Sequence, residues 1–271
     1  MRITFIGGGN MASALIGGLI KRGQPAADIR VFDPSAQQRD ALTRNFGVHV
    51  HPALDATALD CDLVVMAVKP QQMFEAATSL AVWLRGQLVI SVAAGIRASD
   101  LSRWLGGHQR IVRAMPNTPA LVGEGVTGLA APASLSAQDR ADAQTVMDAV
   151  GKSVWVEPEA RIDAVTAVSG SGPAYVFFFM EAMHKAALSL GLDDAQARTL
   201  TLATFSGAAR LAAASDEPLS VLRERVTSKG GTTAAALAVL FERDVQGAIA
   251  HAMAAACNRS AELGDEFGKP G

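Results

Sequence analysis

An α/β chain in two parts is predicted: a doubly wound, largely parallel sheet over residues 1–157, then an all-α half over 158–271. Three observations carry this. Arg2-Ile3-Thr4-Phe5-Ile6 is a short, largely apolar run that enters a glycine turn, and from Ala12 to Lys21 apolar residues recur at helical spacing. Strand-like apolar runs then alternate with helix-like segments as far as about Glu157. From Ile162 onward, alanine-rich helical patterns follow one another without a convincing strand.

Composition narrows the function classes. A length of 271 residues suits two modest domains or one large one, and 49% hydrophobic with 18% charged residues fits a well-buried globular protein. The formal net charge of -2 offers no basic surplus for nucleic acid or anionic lipid, so neither is an expected partner. No charged-then-apolar leader opens the chain, and its apolar runs are cut by Gly, Pro or charge before spanning length. A cytoplasmic location is therefore expected. Cys61 and Cys257 lie far apart with no cluster of His or Cys near either, which suggests neither a disulfide framework nor a metal site.

The opening turn has the form G-x-G-x-x-A at Gly7, Gly9 and Ala12. Gly7 permits the tight turn, Gly9 lets backbone approach a pyrophosphate, and small Ala12 allows close helix–strand packing, with the helix N-terminus facing the anion. The pattern alone also fits an ordinary glycine turn. Its place between strand and helix favours a dinucleotide cradle, as does a second strand, Ile29–Phe32, ending at Asp33 roughly twenty residues on, where such folds bind the adenosine ribose.

Residues 34–44 read as a helix with Ser35 as a possible cap, and 48–50 as a short extended piece with solvent-facing histidines. Residues 63–68 form a continuous apolar run, as suits a parallel strand covered on both faces, and Lys69-Pro70 stops it. A helix over about 71–84 leads to a strand over 88–92, followed by Ala93-Ala94-Gly95. Ligands of open α/β sheets sit beyond the strands' carboxyl ends, so 67–70 and 92–94 should line the same crevice as the glycine turn; each also reads as a plain strand-to-helix turn. Residues 111–114 form another strand. Met115-Pro116-Asn117-Thr118-Pro119 is a rigid loop, because each proline fixes its own φ and biases its predecessor to extended geometry. Strands over 126–130 and 153–156 flank a helix over about 137–150.

In the second half, residues 163–168, 173–190, 194–213, 219–226, 232–241 and 245–263 all read as helix. The scarcity of charge over 175–180 and 248–256 predicts faces buried against more than one small domain's core, hence an intertwined homodimer. His184 and His251 read as surface or satisfied core residues, and the glycine-rich end 264–271 as frayed. Two breaks interrupt the helices: Ser169-Gly170-Ser171-Gly172-Pro173 and Thr227-Ser228-Lys229-Gly230-Gly231-Thr232-Thr233. Each gathers hydroxyls and free N–H groups at a helix start, as an anion-binding N-terminus or as a well-capped interhelix turn. Two of them in one cofactor-bearing chain favour a substrate carboxylate site.

With these motifs assembled, the chain resembles the pyrroline-5-carboxylate reductase family over nearly its full length. The resemblance rests on FIGGGNMA at 5–12, AVKP at 67–70, SVAAG at 91–95, MPNTP at 115–119, DAVTAVSGSGPAY at 163–175 and VTSKGGTT at 226–233. It implies a Rossmann-type sheet followed by a helical dimerisation domain, NADPH or NADH as hydride donor, and reduction of 1-pyrroline-5-carboxylate to L-proline, the last step of proline biosynthesis. It also implies a homodimer, with assembly into a higher oligomer left open by the sequence. Cofactor contacts fall on Ile6, Gly7, Gly8, Gly9, Asn10, Met11, Asp33, Ala67, Val68, Lys69, Pro70, Val92, Ala93 and Ala94. Substrate contacts fall on Ser169, Gly170, Ser171 and Gly172, on Gly230, Gly231 and Thr232 reaching across the dimer, and on Glu159. Thr233 is the choice for the hydroxyl that hydrogen-bonds the ring nitrogen, because a protonated imine needs positioning more than a strong acid or base.

The chain departs from the family where Lys229 replaces a usual proline and Arg225 a usual asparagine. These cations are either solvated or, for Arg225, within reach of the cofactor's phosphates or ribose, a geometry that suits an arginine fork. Many relatives end the second strand with residues that welcome a 2′-phosphate. Asp33 would repel one while accepting the ribose hydroxyls of NADH, whereas Ser35, Gln37 and Arg39 keep NADPH open. Two rivals fit less well. A 3-hydroxyacid dehydrogenase would place a lysine soon after a glycine-rich turn, but none appears here until Lys185. A non-catalytic nucleotide sensor would not need the two substrate turns.

Overall fold

The computed structural model describes residues 1–55 and 59–269. Its first half alternates strand and helix: β1 (Ile3–Ile6), α1 (Asn10–Lys21), β2 (Ile29–Phe32), α2 (Ala36–Phe46), β3 (His49–His51), β4 (Leu63–Met66), α3 (Met73–Ala81), β5 (Leu88–Ser91), α4 (Ala98–Trp104), β6 (Ile111–Met115), β7 (Gly125–Ala130), α5 (Ala137–Asp148) and β8 (Gly151–Trp155). The strands form one sheet in the order β3-β2-β1-β4-β5-β6-β7-β8. All neighbours run parallel except β6 and β7. Strand order reverses between β1 and β4, the topological switch point at which ligands of such sheets bind.

The alternation of side chains along each strand explains the two cores. Ile3, Phe5, Leu63, Val65 and Ile90 point to a layer holding Leu15, Ile16, Leu42, Val146 and Met147 from α1, α2 and α5. Ile6, Val64, Met66 and Val89 point to the opposite layer, with Met73, Leu80, Leu101 and Trp104 from α3 and α4. Both sheet faces are covered, which is why the strands read as continuous apolar runs.

The second half is helical: α6 (Arg161–Val165), a π-helical stretch (Thr166–Gly170), α7 (Gly172–Ser189), α8 (Asp194–Ala213), α9 (Leu219–Arg225), α10 (Thr232–Glu242) and α11 (Val245–Phe267). The chain divides into two compact units, Met1–Ser171 with Ala255–Gly271, and Gly172–Ala254. Within the second, α7 packs on α8. No helix among the described residues is long and apolar enough to cross a membrane.

Two local expectations change, and one element was not expected. The helix expected over 71–84 begins as a 3-10 turn at Pro70–Gln72 and continues as α3 only to Ala81. Helix α4 carried no usable signal, being seven residues long and preceded by Arg97, which makes no side-chain cap. The end expected to fray stays helical to Phe267 because it is pinned. Arg97 Nη2 donates to Asp265 Oδ1 at 2.6 Å and to the Ala261 carbonyl at 3.3 Å, and Phe267 packs into the second core.

Candidate active site

The carboxyl ends of the central strands are stitched together by backbone. Gly7 N–H donates to Phe32 O at 2.8 Å, Ala67 N–H to Ile6 O at 2.8 Å, and Val92 N–H to Met66 O at 3.1 Å. Residues 7–11, 67–70 and 92–94 therefore share one sheet edge at the switch point. Gly7 has φ +96, and a Cβ there would lie 2.8 Å from the Ala67 carbonyl oxygen, so both its conformation and its packing demand glycine.

This edge fits a dinucleotide. Helix α1 starts at the N-cap Gly9 with no side-chain cap and no acidic residue in its first turn, leaving its first N–H groups for an anion. A Cβ built on Gly9 would meet no atom within 4 Å, so an approaching phosphate finds bare backbone and open space. Asp33 stands at the end of β2 with both oxygens oriented: Oδ2 accepts from Gly8 N–H at 2.7 Å and Oδ1 from Ser35 N–H at 2.8 Å. A carboxylate has about four lone-pair sites, so two remain for ribose hydroxyls. Arg39 Nη1 caps the same strand end, donating to Asp33 O at 2.8 Å and Pro34 O at 2.9 Å.

The first hydroxyl-rich segment takes a different form from the open turn expected. Chain arriving from α6 is already helical, and residues 166–170 absorb one extra residue as a π-helical stretch before α7 begins at Gly172. Ser171 N–H is spent on Thr166 O at 2.8 Å, and Ser169 Oγ donates to Val165 O at 3.0 Å. Short π stretches inside helices are frequent at functional sites. Gly170 packs against the MPNTP segment, where a Cβ would sit 2.6 Å from Met115 Cε and the flexible Met115 side chain would have to shift.

Sequence reasoning assigned no role to Asn117 or Arg113, both buried. Asn117 Oδ1 accepts from Val126 N–H at 2.9 Å and its Nδ2 donates to Ser169 O at 3.1 Å. Arg113 Nη1 lies 3.2 Å from Glu159 Oε1 and Nη2 lies 3.8 Å from Asp163 Oδ1. Glu159 Oε1 also accepts from Ala98 N–H at 2.9 Å, and Ser260 Oγ donates to Asp163 at 2.7 Å. Glu159 thus joins a largely buried charge network through one oxygen. An arginine inside the apolar Ile111-Val112-Arg113-Ala114 was the available signal, because a charge in a buried strand requires partners.

The second hydroxyl-rich segment lies in the helical unit. Gly230 turns the chain at φ +72, Gly231 N–H donates to Ser228 O at 3.0 Å, and α10 begins at Thr232 with no side-chain cap. Its first-turn N–H groups and the Thr232 and Thr233 hydroxyls form a donor-rich helix start. Arg225 is engaged by Glu217, with Nη1–Oε2 and Nη2–Oε1 both at 2.5 Å. Lys229 is exposed.

Comparison with known proteins agrees with this layout. Residues 159–263 match the family described as pyrroline-5-carboxylate reductase dimerisation, and residues 2–95 match NADP oxidoreductase coenzyme F420-dependent. A pyrroline-5-carboxylate reductase of Pseudomonas aeruginosa is 46% identical over 269 residues, covering 99% of this chain and 98% of the relative. The solved structure of a pyrroline-5-carboxylate reductase from Coxiella burnetii superposes with a TM-score of 0.91 at 42% identity, over 97% of this chain and 98% of that one. The Plasmodium falciparum pyrroline carboxylate reductase, solved with NADP bound, superposes with a TM-score of 0.86 at 28% identity over the same shares.

Proposed function

The chain belongs to the pyrroline-5-carboxylate reductase family, and from that premise we propose how its residues carry out NAD(P)H-dependent reduction of 1-pyrroline-5-carboxylate to L-proline. The observation that carries the cofactor half is the uncapped start of α1 behind the open face of Gly9. That helix end binds the pyrophosphate, Asp33 accepts from the adenosine ribose, and residues 67–70 and 92–94 flank the rest of the dinucleotide. When bound, the reduced nicotinamide supplies a hydride to the C=N carbon.

The substrate needs little more than capture and orientation, since its protonated imine is already electrophilic. Its carboxylate is held by the Ser169–Gly172 segment of one subunit together with the α10 start at Gly230, Gly231 and Thr232 of a second. The positive end of the α10 dipole favours that anion. Thr233 Oγ accepts a hydrogen bond from the iminium N–H and so fixes which carbon faces the hydride. Glu159 acts at this site through the oxygen that Arg113 leaves free. Arg225, already matched by Glu217, is assigned no cofactor contact. A homodimer is part of this proposal because the two carboxylate-binding segments are assigned to different subunits, and a cytoplasmic location goes with it.

NADP(H) binding is indicated by the NADP oxidoreductase match and the NADP-bound relative. We propose that this chain nevertheless prefers NADH. The Asp33 charge opposes a 2′-phosphate, while Arg39 at the same strand end keeps NADPH as a second donor. Purified protein with pyrroline-5-carboxylate and each reduced cofactor should consume absorbance at the nicotinamide band, with the higher kcat/KM for NADH; a strong NADPH preference overturns the cofactor assignment. Thr233→Ala should raise the substrate KM and lower kcat by about tenfold, the worth of one hydrogen bond to a charged group. Unchanged kinetics would remove Thr233 from the site.

A further inference from the structure

We propose that Asn117 is a positioning residue that sets the backbone of the substrate segment by supplying the hydrogen-bond donor that Pro173 lacks. This rests on the reading of residues 169–172 as substrate-binding. In an uninterrupted helix the N–H at position 173 would donate to the Ser169 carbonyl, four residues earlier. Pro173 has no N–H. The half-buried Ser169 oxygen is met instead by Asn117 Nδ2 at 3.1 Å, from a residue 52 positions away in sequence.

The orientation of the carboxamide is forced. Val126 N–H can only donate, and at 2.9 Å it requires the acceptor end of Asn117, so the NH2 end faces Ser169. The side chain is 8% exposed and both its ends are engaged. Its own backbone is held between Pro116 and Pro119, with Ala120 N–H donating to Asn117 O at 3.1 Å. A held Ser169 oxygen fixes the plane of the Ser169–Gly170 peptide, and with it the directions in which Ser169 and Ser171 leave the π-helical stretch. The anchor follows β6, whose neighbour β5 ends at Ser91, just before residues 92–94 of the cofactor edge. Asn117 thereby ties the substrate segment to the sheet that carries the dinucleotide.

The test is a pair of substitutions in the full-length enzyme. Asn117→Asp keeps the acceptor for Val126 and loses the donor to Ser169; Pro173→Ala returns an N–H to the helix. Asn117→Asp should raise KM for pyrroline-5-carboxylate about tenfold while KM for the cofactor stays within about twofold. Adding Pro173→Ala should bring the substrate KM back to within about threefold of wild type. A merely structural role would lower the melting temperature without separating the two KM values. An unchanged substrate KM in Asn117→Asp, or one that Pro173→Ala does not improve, overturns the proposal. If Asn117→Asp alone fails to fold, a folded double variant supports it and an unfolded one overturns it. Ser171→Ala separates the two readings. If its substrate KM is unchanged, the substrate-segment reading falls; if its KM rises while that of Asn117→Asp does not, only the role of Asn117 falls.

Discussion

Asp33 serves the fold directly and is the carboxylate proposed to bind the cofactor's ribose. By accepting from Gly8 N–H it holds the glycine turn against β2, and its remaining lone pairs are the ones proposed above to take the ribose hydroxyls. Asp33→Ser should therefore act in two ways. Removing the charge beside Arg39 should raise the ratio of kcat/KM for NADPH over NADH about tenfold, and the unpaired Gly8 N–H should cost about 1 kcal/mol of stability. Kinetics with both cofactors and a thermal melt check the two effects separately. A second carboxylate acts on stability alone. Asp139 is buried in α5, and Arg110 donates to it from Nη2 at 2.6 Å and from Nε at 3.2 Å. The Arg110 hydrogen bonds hold its carboxyl below the usual range against the opposing effect of burial. A depressed pKa gives stability that is present above the unfolded value of about 3.9 and is lost as pH falls through the folded one. Asp139→Asn should thus be less stable than wild type at neutral pH, and the gap should close below about pH 4 in melts across the acid range.

Helix α1 is placed by close approach in its second half, at Gly17 and Gly18. Its start is the proposed pyrophosphate site, and farther on Gly18 lies against the α5–β8 connection, where a Cβ would come 2.3 Å from the Ala149 carbonyl oxygen. Backbone cannot yield there, so Gly18→Ala should cost about 1–3 kcal/mol. Gly17→Ala meets only the ring edge of Phe46 at 3.1 Å, and gains helix propensity, so it should cost little or nothing. Equal melting temperatures for the two variants would contradict this packing. The elements that were legible in sequence share one property: their determinants are local. Ser35 accepts from Gln38 N–H as the N-cap of α2, and the apolar runs of β4 and β5 declare burial by themselves. What was not legible depends on distant partners. The proline at 173 reads as a helix start, yet the chain is already helical there, and the donor that replaces its N–H comes from Asn117. Arg113 signals by its place in an apolar strand that it needs a partner, but nothing local names Glu159 as that partner.

At the scale of the molecule, the helical unit cannot be stable by itself. Among the described residues of Gly172–Ala254, only Ala197 and Thr201 are buried, and neither core cluster includes any residue of this unit. Phe177 and Phe178 on α7 are 64% and 68% exposed, and Val239, Leu240 and Phe241 on α10 are about half exposed. A domain needs a core to offset the entropy of ordering its chain, so these faces must be covered by another protein surface. The match to a dimerisation family supports the proposal that this surface is a second copy. Full burial of one phenylalanine contributes about 2–3 kcal/mol, and a two-fold interface counts it twice. Phe178→Asp should therefore weaken dimerisation by at least about a thousandfold. Light scattering at micromolar concentration should then report a monomer. Loss of the second subunit also removes one of the two proposed carboxylate-binding segments, so turnover should vanish while the glycine turn still binds NADH, as read by quenching or calorimetry. A variant that stays dimeric would place Phe178 outside the interface; a monomer with full turnover would mean that one chain contains the whole site.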